Sequence, residues 1–440
     1  EIHERLVGSE MCIRDSSFSQ RTLRADIVKV FSFTAMSTVV KMLTGLISVK
    51  VVASMIGPSG VALVGQLNNF ATIAMSLASG GINNGITKYV AEYKENKEGI
   101  KDCLSTALQI TSVCSLLVGA FLILFNSYLS KVILLSTDYD YVFIVFGFTI
   151  LLYALNLMLI SILNGFKEFK RYVRINIANS IVGLIFTLSF VSVLGLPGAL
   201  ISAVTYQSVM FFITLWMIRK LPWFTWNNFK RKISGALSKK YMHYTLMALT
   251  TAATVPASQM LLRGYVISEI SPVEAGWWEG MNRISHMYLM VITSSFSVYY
   301  LPRLSELKDS VEIKREMVKA YKVIIPMLLV AFTLVYLLRT VVIRILFTPD
   351  FLPMENLFFW QLAGDFFKIC SWLLSFLMVA KSMTKAFVST EVLFSLSFVI
   401  LGFLFMRMNG VVGINQAYLV NYVAYLICMV VVFRKILCAK

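Results

Sequence analysis

The sequence predicts an all-α membrane protein: twelve transmembrane helices in two parallel six-helix repeats. Three observations carry that prediction. Of the 440 residues, 58% are hydrophobic and 14% charged, with a mean hydropathy of +0.75; soluble domains carry roughly 25% charged residues. Twelve apolar segments follow one another, each near or above the ~20 residues that cross a bilayer as a helix. The chain also repeats itself at an offset of 214, where Pro58 meets Pro272, Asn68 meets Asn282, Glu92 meets Glu306 and Lys94 meets Lys308.

The segments run over 28–56, 60–90, 103–127, 141–165, 173–195, 198–219, 242–268, 273–301, 318–347, 356–381, 386–406 and 411–433. Turn residues separate them, as in Gly57-Pro58-Ser59-Gly60 and Gly195-Leu196-Pro197-Gly198. Segment 1 carries Lys41 at its middle, and a lysine at bilayer centre costs about 2.5–3.5 kcal/mol on insertion scales. Thr34, Ser37, Lys41, Thr44 and Ser48 follow at spacings of 3 and 4 and share one helix face. Such a stripe belongs against a bundle interior or a wet cavity. Lys50 lies on the far side of the helix and nearer its end, where snorkelling to an interface is an equal reading. Segment 2 carries Asn69, Thr72, Ser76, Ser79 and Asn83 on one face; the repeat sets Arg283, His286, Met290, Thr293 and Ser297 at the same positions of segment 8.

Segment 7 is interrupted by Pro256 and holds Arg263 one turn beyond Gln259. On segment 8, Glu279 and Arg283 stand at i,i+4, the spacing of a helical ion pair. Segment 10 presents Gln361, Asp365, Lys368, Trp372 and Ser375 on one face. Asp365 and Lys368 can pair at i,i+3, and a carboxylate that exchanges its lysine for a proton or sodium ion suits coupled transport. Glu391 on segment 11 is a weaker candidate of the same kind.

The net charge of +17 is concentrated in alternate connectors. Every even-numbered connector is basic, the longest from Leu221 to Lys240, while the odd ones carry Asp138, Asp140, Asp350 and Glu355. By the positive-inside rule both termini are cytoplasmic, so the charge marks topology and no nucleic-acid partner is expected. The expected organisation is a first lobe over 17–220, a cytoplasmic linker over 221–240 and a second lobe over 241–440. The linker, with Pro222, Trp223 and Trp226, suits a surface of anionic headgroups. Residues 1–16 stand apart: they lack an apolar h-region, and Leu6 to Ser16 resembles translated sequencing-adapter sequence. The natural chain is expected to begin shortly before Arg21.

No HExxH, GxxxxGK[ST] or GxSxG pattern occurs, the six cysteines show no CxxC spacing, and beyond the tail only His243 and His286 remain. No catalytic site, metal or cofactor is expected, and uphill work would draw on an ion gradient or on substrate consumption. Parallel repeats place a substrate site between the halves. There Lys41, Lys50, Arg263 and Arg283 form a cationic set suited to phosphate oxygens. Thr34, Ser37, Thr44, Ser48, Asn69, Ser76, Asn83, His286, Thr293 and Ser297 supply polar lining for sugars. Asp365, Glu279 and Lys368 are the groups expected to couple movement to a proton or sodium gradient.

Five stretches add a resemblance: Ser37-Thr38-Val39-Val40-Lys41, Gly85-Ile86-Thr87-Lys88-Tyr89-Val90-Ala91, Tyr244-Thr245-Leu246-Met247-Ala248-Leu249, Ser295-Phe296-Ser297-Val298-Tyr299-Tyr300-Leu301-Pro302 and Trp360-Gln361-Leu362-Ala363-Gly364-Asp365. From about Asp26 onward the chain resembles the Wzx-type O-antigen and lipid III (enterobacterial common antigen) flippases. These belong to the multidrug/oligosaccharidyl-lipid/polysaccharide exporter (MOP) superfamily. The resemblance implies a V-shaped, two-lobed fold in the bacterial inner membrane. It also implies alternating-access movement of an undecaprenyl-pyrophosphate-linked oligosaccharide from the cytoplasmic to the periplasmic leaflet, alongside a glycan polymerase and a chain-length regulator. Lys41, Lys50, Arg263 and Asp365 fall where the matching motifs carry like residues. Arg283 and His286 depart from the pattern, which leaves the glycan open. The rival reading is a MATE-like ion-coupled drug or cation antiporter, which favours an acidic cavity where this one reads as basic. A membrane scaffold without transport would leave the buried lysine stripe an unexplained cost.

Overall fold

A computed structural model of the protein describes residues 2–296, 300–307, 309–381 and 383–438, with side chains from Met36 onward except at 236, 243, 244, 247, 294, 295, 301 and 302. Ser297 lies outside the described residues, as do the side chains of Thr34 and of the adapter-like tail. The chain begins with α1 (Ile2–Ala78), α2 (Asn83–Tyr93), α3 (Lys97–Leu124), α4 (Asn126–Leu129), α5 (Asp140–Gly165), α6 (Phe169–Leu194) and α7 (Leu196–Ile218). It continues with α8 (Gly235–Tyr265), α9 (Pro272–Ser295), α10 (Leu301–Glu306), α11 (Ser310–Leu337) and α12 (Arg339–Leu346). The last helices are α13 (Glu355–Ala380), α14 (Thr384–Asn409), α15 (Val411–Val432) and α16 (Arg434–Leu437). No strand occurs among the described residues.

The repeat read from the sequence is a repeat of structure. Helices α3, α5, α6 and α7 of the first half return in the same order as α11, α13, α14 and α15, with lengths of 28, 26, 26 and 23 residues against 28, 26, 26 and 22. The breaks repeat too. Gly195 (φ +61°) divides α6 from α7, and Gly410 (φ +58°) divides α14 from α15; only glycine takes this left-handed turn without steric cost. Gly57 (φ +64°) breaks α1 just before Pro58, and the equivalent break is a π turn, Val266–Ile270, before Pro272 opens α9.

Among the described residues the predicted segments fall on helix apart from short breaks, as at Leu338 between α11 and α12, and two refinements follow. Segment 2 is not one helix. Gly80 and Gly81, both at positive φ, end α1 by turning their N–H groups back to Leu77 and Ser76 carbonyls, so Asn83 sits on a separate helix from Asn69 and Ser76. By length and composition nine helices of the described residues can cross a membrane. One of these, Met36–Ala78, spans both segments 1 and 2; in α9 the charges of Glu274, Glu279 and Arg283 dilute the apolar character.

Three apolar clusters hold the bundle. The largest joins both halves: it gathers Val61, Leu67 and Phe143 of the first with Leu262, Met281, Phe347 and Ile414 of the second. It lies toward the odd-numbered connectors. Toward the even-numbered connectors the halves have separate clusters, one around Ile86, Leu104 and Ile162 and the other around Leu304, Met317 and Leu374. One shared core at one end and two separate cores at the other make a V. At the shared end Gly276 of α9 meets α1 so closely that a Cβ there would stand 2.1 Å from the Pro58 carbonyl oxygen. The segment 221–240 is laid along the first half. Leu221 and Trp223 are buried in its cluster, and Arg231 binds Asp102 at 2.8 Å and also Glu98, both on α3. The Asp102 hydrogen bond raises the Arg231 pKa further above its ordinary value.

Candidate substrate cavity

A cavity of about 920 Å³ opens along the inner wall of the second half. Its walls take Ser258 and Gln259 from α8, Asn282, Ser285, His286 and Thr293 from α9, and Lys368, Trp372 and Ser375 from α13. Glu391 and Ser395 come from α14, and Tyr418, Asn421, Tyr422 and Tyr425 from α15. The first half contributes Lys41. Lys41 is exposed and makes no hydrogen bond or ion pair with a described residue. Ser37, Thr44 and Ser48 follow it along the helix, half-buried, and the Thr44 hydroxyl is turned back to the Val40 carbonyl at 2.9 Å.

The other three expected cations are not on this wall. Lys50 donates to the carbonyls of Arg344 at 3.0 Å and Phe347 at 2.5 Å. It thereby caps the end of α12, whose last carbonyls have no partner within the helix. Arg263 is 1% exposed and lies in the seam between the halves. Its guanidinium pairs with Glu279 at 2.5 Å, donates to Gln66 of α1 at 3.4 Å and stands over the Trp278 ring at 5.3 Å. Arg283 reaches the other Glu279 oxygen at 3.1 Å. The expected Glu279–Arg283 pair is thus present, but its carboxylate serves a second, fully buried cation. Gly65 of α1 makes room for it: a Cβ there would lie 2.4 Å from the Glu279 carboxyl carbon. Asn69 is in the same seam, donating to Gln259 at 3.2 Å. Ser76 is half-buried, and Asn83 on α2 keeps a buried carbonyl oxygen without a partner among the described residues.

The expected direct pair of Asp365 with Lys368 does not form. Asp365 is fully buried and accepts from Ser285 at 2.7 Å, Tyr288, Gln361 at 3.1 Å and Tyr418 at 2.7 Å. Tyr418 stands between the two charges, donating to Asp365 and accepting from Lys368 at 3.0 Å. The reason is geometric: Asp365 points toward α9, where Ser285 and Tyr288 wait, while Lys368 turns toward α15. Lys368 lies 5.1–5.3 Å from the ring centres of Trp372, Tyr418 and Tyr422, a cation–π cage. Segment 12 was read only as apolar. Its tyrosines at 418, 422 and 425 and its Asn421 were a legible signal, spaced to share one face.

The fold is that of transporters of the MOP type. The inward-facing structure of a multidrug resistance MATE transporter of that superfamily aligns with a TM-score of 0.73 at 13% identity, over 93% of this chain and 98% of that one. The lipid II flippase MurJ in an inward closed conformation aligns at 0.69 and 16% identity, over 92% and 87%. The chain belongs to the polysaccharide biosynthesis protein family, which it matches over residues 27–308. It is 30% identical over 399 residues to the lipid III flippases of Escherichia coli (strain K12) and Shigella flexneri, covering 91% of this chain and 96% of each relative.

Proposed function

We propose that this multi-pass membrane protein is a flippase that moves an undecaprenyl-pyrophosphate-linked oligosaccharide from the cytoplasmic to the periplasmic leaflet of a bacterial inner membrane. The observation that carries this reading is the 30% identity to lipid III flippases, which runs through 91% of the chain. The cavity fits it. Lys41 offers an uncommitted ammonium to pyrophosphate oxygens, and the opposite wall offers amides, hydroxyls and aromatic faces. Lobes at 17–220 and 241–440 rock about their shared core, with both termini and the 221–240 segment in the cytoplasm. Asp365, bonded from α9, α13 and α15 together, is the group through which a proton or sodium gradient would act, with Glu279 and Lys368 as the other candidates. A glycan polymerase and a chain-length regulator are the partners that would take up the product.

The test is transbilayer movement of a labelled polyprenyl-pyrophosphate glycan in proteoliposomes. The wild-type protein moves it. Lys41→Ala, losing one charge-assisted contact worth about 1.5–3 kcal/mol, binds it roughly ten- to a hundredfold more weakly. Unchanged movement in Lys41→Ala would remove the site assignment. Glu391 on the wall favours a second reading, a cation antiporter. Gradient-driven uptake of a cationic dye, with no glycolipid movement, would select it.

A further inference from the structure

We propose, on the flippase reading above, that the second half's wall is a saccharide chamber in which Asn282 and Asn421 select the sugar by hydrogen bonding. Both line the cavity, and they are only 8% and 4% exposed. The Asn282 amide nitrogen and the Asn421 amide oxygen are buried with no hydrogen-bond partner among the described residues. Buried polar groups are almost always paired, and leaving one unpaired is costly. Here one donor and one acceptor, on α9 and α15, stand unpaired in two side chains that line the same cavity. Both are neutral, so they do not ask for an ion. A sugar hydroxyl or acetamido group donates and accepts at once and answers both.

The rest of the wall agrees with that chemistry. Tyr418, Tyr422 and Tyr425, at spacings of 4 and 3, face the cavity from one side of α15. Their rings are set at steep angles to one another, 66° and 79°. Lys368 fixes two of them and Trp372 through the cage described above. Contacts with Phe394 and Phe398 of α14 account for how the tyrosines pack, but not for the open amides. A lipid tail would leave both amides unpaired. The volume, about 920 Å³, lies within the usual ~300–1,000 Å³ of ligand sites. Lys41 stands on the other lobe, so phosphate and sugar are held by opposite halves.

Binding of two lipids to the purified protein in nanodiscs tests this: undecaprenyl-pyrophosphate-N-acetylglucosamine, and undecaprenyl pyrophosphate without sugar. Asn282→Leu and Asn421→Leu each weaken the sugar-bearing lipid about three- to tenfold and leave the bare lipid unchanged. Lys41→Ala weakens both lipids alike. Each leucine keeps the side chain's size while removing an unpaired polar group, so both variants melt at or above the wild-type temperature. The chamber is overturned if the asparagine variants weaken both lipids equally or neither. It is overturned too if the wild-type protein binds the bare lipid as tightly as the sugar-bearing one, a result that leaves the flippase reading standing. No affinity of the wild type for either lipid would remove both.

Discussion

Glu279→Gln tests what holds the two halves together. The Glu279 carboxylate is the only acid paired with the Arg263 and Arg283 guanidiniums among the described residues. Arg263 is 1% exposed, so it cannot turn to water when its partner is lost. Glutamine keeps the shape and one acceptor but removes the charge, leaving two cations in one buried site. Removing one member of a buried pair costs about 3–5 kcal/mol, or upwards of a hundredfold in the folded-to-unfolded ratio. Arg283→Ala should cost much less: its side chain is 17% exposed, it pairs at i,i+4, and such pairs are worth about 0.2–0.5 kcal/mol. Arg263→Met combined with Glu279→Gln should recover most of the loss, since the fully buried cation is then gone and only the partly exposed Arg283 is left without its acid. Equilibrium unfolding in detergent, read by tryptophan fluorescence, measures the series, and Trp278 lies against Arg263 as a local reporter. A Glu279→Gln protein as stable as wild type would refute the reasoning. So would a double variant no more stable than the single one.

Gly276→Ala should cost at least the ~1–3 kcal/mol of an overpacked core, because the new methyl meets the Pro58 backbone, which cannot rotate aside; a lower melting temperature and a smaller monodisperse fraction on gel filtration would show it. Tyr418→Phe removes the hydroxyl between Asp365 and Lys368 and should destabilise by about 1.5–3 kcal/mol, as charge-assisted bonds do. Tyr288→Phe, which leaves Asp365 three other donors, should cost less in the same unfolding assay. Arg231→Ala should leave the melting temperature unchanged while speeding tryptic cleavage at Lys230 and Lys232.

What the sequence showed plainly was local. Runs of apolar residues located the helices, Pro58 and Pro272 marked equivalent breaks, and glycine with proline marked the turn after segment 5. Contacts between distant residues were not legible. Arg263 reads as a cation of segment 7, but its burial depends on Gln66, 197 positions away. Lys50 finds its carbonyls 294 and 297 positions on. Asp365 and Lys368 have the spacing of a pair, yet side-chain direction is set by what packs against each face, and α9 and α15 draw them apart. Of the polar stripe around Lys41, Lys41 itself lines the cavity, while Ser37, Thr44 and Ser48 are not among its lining residues. That the opposite wall would be built from α13, α14 and α15 required the packing of the second half.

Helix α8 belongs to both halves at once. Its first turns are fastened to the first: Leu237 and Tyr241 are buried in that half's cluster, and Thr245 donates to the Gly80 carbonyl at 2.7 Å. Its later turns are fastened to the second: Ser258 donates to the Ser395 carbonyl at 3.2 Å, and Leu262 fills the space against Gly402. With Arg231 anchoring the preceding segment to α3, little slack remains in the loop between the halves. The covalent joint is a beam clamped at both ends, and the stretch from Thr245 to Ser258 lies between the clamps. Pro256 lies inside that length, and without an N–H it leaves one rung of the helix unmade. Any change in the angle of the V must pass through this stretch as bending. The residue that weakens the beam therefore sets how stiffly the two lobes are sprung against each other.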